Sequence, residues 1–471
     1  MAKPALLFVD RTLTLRIHFV GMMIVIVLYA ILDPIIAVLV GGMINFVIYI
    51  TIGFLEARRD PLHFNPISFY FFWYSVNLGL SAIYSSTLLA AEGGIGFSTA
   101  RVYNHSVALG FLIYTIGSFA LHAGLQLNRP KRQTKIISEK VLIGRAAFIV
   151  FIICGLTFEL FAPYFAVFGG LLSFLRFSMI TGLALIAFNQ NNFLKLTFIT
   201  RRNILFIGSI LVFILNISTT SKAYMMFAFF PLVWFMLYYK VDILKLAFTG
   251  FVFAMLYFFF VYPLSYELRA SFVSTRQVNV QSSVETVLEG KTNAIDPQFR
   301  DRHPIYGYLS RSFDAIAVAY LTTQVDKYGF RYGETMAFLG YSLIPRIFWP
   351  SKPAVSQSAW FTYYLGFAPS PEKATVSVGM TATGELYWNF GIPGVIIGMF
   401  IVGIGFSGLW RLAGLHPQYS ILSMLLFINI LFGMPNMSEF GSVITTFVLT
   451  YLTFKTAYII RDKFILKGYS V

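Results

Sequence analysis

Residues 17–32, IHFVGMMIVIVLYAIL, and 35–55, IIAVLVGGMINFVIYITIGFL, contain no lysine, arginine, aspartate or glutamate. A helix rises about 1.5 Å per residue, so a run of about 20 apolar residues matches the roughly 30 Å of hydrocarbon in a bilayer. Runs of similar character recur near 66–88, 105–124, 146–162, 170–188, 203–218, 223–239, 243–263, 390–409, 420–434 and 442–460. Twelve spans are therefore expected. The composition agrees: of 471 residues, 57% are hydrophobic and only 12% charged, well outside the range of a soluble domain. The sequence predicts an all-α, polytopic integral membrane protein. Residues 1–471 form one membrane domain, with 265–389 inserted as a large outer loop carrying short interfacial helices.

The orientation follows from where the cations lie. With the amino terminus inside, the inner connections hold Arg58 and Arg59, then Arg129, Lys131, Arg132, Lys135, Lys140 and Arg145, then Lys195, Arg201 and Arg202, then Lys240 and Lys245, then Arg411. The tail adds Arg461, Lys463 and Lys467. Apart from Arg101 and Lys222, the short outer connections are almost free of lysine and arginine, as the positive-inside rule requires. Both termini are expected in the cytoplasm and the loop on the outer side. The net charge of +15 belongs to this pattern, and no nucleic-acid partner is expected. The first span is expected to act as an uncleaved anchor, since no small-residue cleavage site follows Lys3, Arg11 and Arg16.

Several chemistries are set aside by absence. The longest inner connection, near 126–145, is far shorter than the roughly 100 residues of a nucleotide-binding α/β domain, and the chain has no P-loop or Gly-rich dinucleotide fingerprint. Cys154 is the single cysteine, and the six histidines, His303 among them, show no ligand spacing. No metal and no cofactor are expected. Any substrate should already be at the outer face or dissolved in the membrane.

The outer loop holds half of the acidic residues of the chain and seven arginines: Arg269, Arg276, Arg300, Arg302, Arg311, Arg331 and Arg346. Guanidinium forks suit bidentate phosphate recognition. Arg311 lies on an apolar periodic stretch, 303–325, one turn before Asp314, so a salt bridge and a site explain the pair equally well. Arg346 stands between Pro345 and Ile-Phe-Trp in a second apolar stretch, 334–349, while 351–383 reads mostly as coil. Within the spans, Arg176 can serve either as the partner of Glu159 or as a substrate contact. Lys222 follows Ser218, Thr219, Thr220 and Ser221, where hydroxyls and an ammonium could receive a phosphate. Trp349 and Tyr387 belong to a dense set of aromatic residues able to stack on sugar rings or to line the membrane interface.

The segment Gly340-Tyr341-Ser342-Leu343-Ile344-Pro345-Arg346-Ile347-Phe348-Trp349-Pro350-Ser351-Lys352-Pro353, followed by Gly384-Glu385-Leu386-Tyr387-Trp388-Asn389-Phe390-Gly391, resembles the Wzy-type oligosaccharide repeat-unit polymerases, which include O-antigen polymerases. Ser221-Lys222-Ala223 is similar to a Ser-Arg-Gly or Ser-Arg-Ala element of these proteins and of O-antigen ligases, with Lys in place of Arg. The resemblance implies a glycosyltransferase at the outer face of a bacterial inner membrane. It would extend lipopolysaccharide-type glycans from undecaprenyl pyrophosphate, with lipid-linked oligosaccharides as donor and acceptor and a chain-length regulator as a possible partner.

Such a transfer needs a cation for the departing pyrophosphate and a base for the acceptor hydroxyl. Lys222, Arg311 and Arg346 are the candidate cations. Glu385, which precedes a span, is the preferred base and is expected at the membrane surface, with Asp314, Glu334 and His303 as competitors. An O-antigen ligase shares this chemistry. A lipid-linked saccharide flippase is the reading from another class.

Cysteines introduced at Ser283 and Ser370 are expected to react with an impermeant thiol reagent in intact spheroplasts; protection of both until lysis would reverse the orientation.

Overall fold

The computed structural model describes residues 11–59, 66–97, 100–127, 178–187, 197–217, 228–238, 313–337, 357–366, 368–373 and 378–413, with isolated short pieces elsewhere. The described chain is mostly helical. α1 (Arg11–Ile31) and α2 (Pro34–Arg59) are separated by a sharp turn at Asp33. Its carboxylate accepts the Ile35 N–H at 2.9 Å, and Pro34 supplies a first residue that has no N–H to satisfy. α3 (Pro66–Tyr74), a π-helical turn (Ser75–Leu80) and α4 (Ser81–Glu92) then follow as one continuous helical run. The run ends at Gly93, whose φ of 69° suits a residue without Cβ.

A short antiparallel hairpin, β1 (Gly94–Phe97) and β2 (Ala100–Tyr103), leads into α5 (Asn104–Leu127). The hairpin departs from a purely helical expectation. Its strands are too short to show a period, but Ile95 pairs with Val102, and both are buried beneath α9 (Ala315–Tyr328). α6 (Ser178–Ala187), α7 (Phe198–Ile217) and α8 (Phe230–Tyr238) pack on one another, with Phe198 stacked on Phe235 at 5.1 Å. Phe69 of α3 meets Phe230 of α8 edge-on at 6.2 Å. α10 (Gln357–Tyr364) and α11 (Ala382–Ala413) complete the set.

Among the described residues, four helices are long and apolar enough to cross a membrane: Thr12–Ile31, Pro34–Ala57, Asn104–Leu127 and Ala382–Arg411. α1 and α2 leave Phe19, Val20, Val27, Val47 and Phe54 exposed on their outer surfaces, as lipid-facing helices do. The expected spans at 146–162, 243–263, 420–434 and 442–460 lie almost entirely outside the described residues.

α5 is the most enclosed of these helices, because α1, α2, α9 and α11 all pack against it. Gly110, Gly117 and Gly124 recur every seven residues and so share one face. A Cβ at Gly110 would lie 2.7 Å from the carbonyl oxygen of Ala315 on α9. At Gly117 it would meet Thr383 at 3.0 Å, and at Gly124 it would collide with the carbonyl of Phe400, both on α11. Gly403 is equally tight against Leu121, so α5 and α11 cross backbone to backbone. In lipid, where helices gain nothing by hiding apolar surface from water, such close approach is what holds them together.

The loop differs from its sequence reading in three places. The helix expected over 303–325 is seen as α9, beginning at Ala315, running to Tyr328 and ending at Gly329, while 303–308 and 310–312 lie outside the described residues. Of the stretch 334–349, Glu334–Ala337 forms a 3-10 turn behind the positive φ angles of Tyr332 and Gly333. Within the expected coil, Gln357–Tyr364 is helical because it buries Phe361 against Tyr320 and Trp388.

Replacing Gly124 by Val is expected to cost about 1–3 kcal/mol by overpacking. Met43→Val, on the exposed side of α2, should stay within about 0.5 kcal/mol. Thermal unfolding of both purified variants in the same detergent checks this.

Candidate functional site

The segment Gly384–Gly391 owes its shape to a break in α11. Gly391 adopts φ 65°, ψ −159°, and Pro393 opens the helix that follows, so 382–390 is a short helix set apart from the span. Its N-terminus is closed by Thr381, whose hydroxyl accepts the Gly384 N–H at 3.0 Å. At its other end the break leaves carbonyls without intrahelical partners. The loop after α9 satisfies them: Arg331 N–H donates to the Trp388 carbonyl at 3.0 Å and Tyr332 N–H to that of Asn389 at 3.2 Å.

Asn389 is the clamp between the two segments. Its buried side chain accepts the Gly333 N–H at 2.9 Å and donates to the Thr335 hydroxyl at 2.6 Å and to the Glu385 carbonyl at 2.8 Å. Thr335 in turn donates to the Glu385 carboxylate at 3.3 Å, a long bond. Glu385 stands in the first turn of its helix, as expected, and its side chain is wholly buried.

The loop carries a cation that the sequence reading did not single out. The Arg331 guanidinium lies 5.4 Å from the ring centre of Trp388 and 5.5 Å from that of Tyr364. It donates to the Tyr364 hydroxyl at 3.1 Å and to Glu334 at 3.3 Å. Its Nε–H is buried without a partner among the described residues. Around it Tyr332, Trp360, Tyr363 and Phe390 are exposed. Tyr387, expected as a sugar contact, is buried with its ring edge-on to Phe330 at 6.1 Å, so its face is not open for stacking. The bulk of the Gly384–Gly391 motif builds the floor of the site, and neighbouring rings form its rim.

Asp314 belongs to a separate cluster at the opposite end of α9. That helix of 14 residues sets it about 20 Å from Arg331 at 1.5 Å per residue. Asn77, in the π-helical turn, donates its amide to the Asp314 carboxylate at 2.5 Å and accepts the Asp314 N–H at 3.4 Å. Burial pushes the Asp314 carboxyl up to about 6, although hydrogen bonds from Asn77 and Tyr114 pull it down.

Trp349 donates to the Ser351 hydroxyl at 3.0 Å. His303, Lys222, Arg311, Arg346 and Arg176 lie outside the described residues. Among the described residues, no group of three or more His, Cys, Asp or Glu could hold a metal ion. Known protein families, curated proteins and solved structures contain no match to this chain.

A raised carboxyl pKa in the folded state means that protonation favours folding: the contribution is fully present below the unfolded value near 4 and is lost as pH rises through about 6. Asp314→Asn cannot ionise, so its stability relative to the unaltered protein should improve between pH 4 and pH 7. A thermal-unfolding series across that range reads the difference.

Proposed function

We propose that this protein is a membrane glycosyltransferase that polymerises undecaprenyl-pyrophosphate-linked repeat units at the outer face of a bacterial inner membrane. The observation that carries the reading is the joining of one cation, two edge-on aromatic rings and a buried carboxylate where the loop docks on the Glu385 helix. Arg331 keeps about a quarter of its side chain exposed beside exposed aromatic rings, a combination suited to a phosphate bearing a sugar. The departing pyrophosphate binds Arg331; Arg311, Arg346 and Lys222, the cations expected from the sequence, lie outside the described residues. Trp360 and Tyr363 offer ring faces to the sugars.

Glu385 takes the proton of the acceptor hydroxyl in this scheme. Thr335 now occupies the position such a hydroxyl would need, and its long 3.3 Å bond makes it the group to be displaced. The proton passes to the carboxylate as the new glycosidic bond forms and the bond to pyrophosphate breaks. The lipid pyrophosphate leaves with the electron pair.

Purified protein given a single lipid-linked repeat unit and no energy source should form a ladder of polymers. Products that require a separate lipid-core acceptor would mark a ligase, and movement without new glycosidic bonds a transporter. The last reading draws on a specific feature, a row of buried titratable side chains inside the helix bundle.

In the same assay, Arg331→Ala should lose about tenfold or more, in keeping with roughly 1.5–3 kcal/mol for a charge-assisted contact, and Arg331→Lys should recover part of it. Glu385→Gln should cut turnover by about 100-fold or more with little loss of thermal stability. Normal turnover in Glu385→Gln would move the role of base to Asp314, then to His303.

A further inference from the structure

Tyr114, Ser118, His122 and Gln126 follow one another at intervals of four on α5 and form a polar stripe along it. The stripe faces Thr14 and His18 of α1, Tyr49 and Glu56 of α2, and Tyr74 of α3. At the end of α2 that carries Arg58 and Arg59, the buried Glu56 carboxylate accepts from Thr14 at 2.8 Å and from the Gln126 amide at 3.0 Å. The same Gln126 nitrogen lies 3.0 Å from His122 Nε2. His122 Nδ1 lies 3.1 Å from His18 Nδ1, and His18 Nε2 lies 3.4 Å from the Ser118 hydroxyl. Ser118 is 2.8 Å from the Tyr49 hydroxyl. Further along, Tyr74 and Tyr114 share a hydrogen bond of 3.2 Å, and Tyr114 bonds Asp314.

Polar side chains in membrane bundles commonly act as adhesive, and Ser, Thr and Asn suffice for that. A glutamate, two adjoining histidines and an aspartate are far costlier in such surroundings and mark routes for protons or ions. With the Gln126 amide nitrogen assigned toward His122 Nε2, one consistent set of tautomers puts the His122 proton on Nδ1, shared with His18, and the His18 proton on Nε2, facing Ser118. Both imidazoles, His18 and His122, have a neighbour at each of their two nitrogens, the arrangement that lets a proton enter one ring atom as another leaves the opposite one.

We propose that this row is a proton path through the bundle, with Glu56 at one end and Asp314 at the other. Gln126 cannot itself carry a proton, and its carbonyl oxygen is buried without a partner. It closes the path until its side chain, in the last turn of α5, swings aside and admits water between Glu56 and His122. A proton then binds His122 Nε2 while the Nδ1 proton passes to His18. His18 releases its Nε2 proton to Ser118, and Ser118 gives its own to Tyr49 after the hydroxyls rotate. Tyr49 and Tyr74 meet edge-on with ring centres 6.3 Å apart and share no hydrogen bond, so this step requires a water to enter between their hydroxyls. Tyr114 delivers it to Asp314, and that carboxyl, in the stretch read as outer, then gives up a proton toward the outer side, so one proton leaves for each that enters. From Tyr114 to Gln126 the stripe covers about 18 Å of the roughly 30 Å of hydrocarbon.

The path is independent of the glycan reading, and its test contains no saccharide. The full-length protein is reconstituted in liposomes holding a pH-sensitive dye, and valinomycin with a potassium gradient sets the potential. Proton entry several-fold faster than in protein-free liposomes is expected, reduced to the protein-free rate in His122→Asn and in Tyr114→Phe. Entry no faster than in protein-free liposomes would overturn the path, as would an undiminished rate in both variants or equally rapid entry of sodium. Where a variant fails to elute as a single folded species, Glu56→Gln takes its place; the comparison of unaltered protein with protein-free liposomes needs no variant.

Discussion

Backbone contact at the glycine face of α5 is the constraint on which the described structure depends. Gly110 admits α9 and Gly124 admits α11 at distances that a Cβ would forbid, and Gly117 lies tight against Thr383 of α11. Because lipid supplies no hydrophobic drive between helices, dispersion and hydrogen bonding across such narrow gaps must hold the bundle together. Those contacts fix both helices of the candidate site to one support. α9 sets the start of the Arg331 loop, and α11 presents the Glu385 helix that the loop covers.

The break at Gly391 gives this support its chemical use. An uninterrupted helix would keep the carbonyls of Trp388 and Asn389 for its own next turn. With the chain turned aside at φ 65°, they become acceptors for a loop from another part of the sequence. The cation, the rings and the carboxylate are thereby assembled through main-chain bonds, which do not depend on which side chains stand at 331 or 332. The Arg331 backbone is fixed by its bond to Trp388, while its guanidinium reaches Tyr364 and Glu334.

The same α5 serves two surfaces of opposite character. Its glycines lie against α9 and α11, while Tyr114, Ser118, His122 and Gln126 line the contact with α1, α2 and α3. The π-helical turn adjoins the second surface and brings Asn77 to both ends of the Asp314 residue, its carboxylate and its N–H. Extra residues in a helical turn are frequent where a side chain must be redirected toward a site.

Helix lengths and apolar character were legible in the sequence because hydrocarbon thickness acts on each span separately, and α1, α2 and α5 begin and end close to the expected limits. The Gly384–Gly391 motif likewise stood out, and so did the first-turn position of Glu385. Local pattern could not show that Glu385 is buried, that Tyr387 turns inward against Phe330, or that Arg331 is the arginine held between Trp388 and Tyr364. The histidines looked scattered because His18 and His122 are 104 residues apart in sequence, yet their rings meet at 3.1 Å. Span formation is governed by residues next to one another in the chain and the lipid around them. Burial, cation placement and the polar row arise only where separate helices pack, so tertiary structure alone decided them.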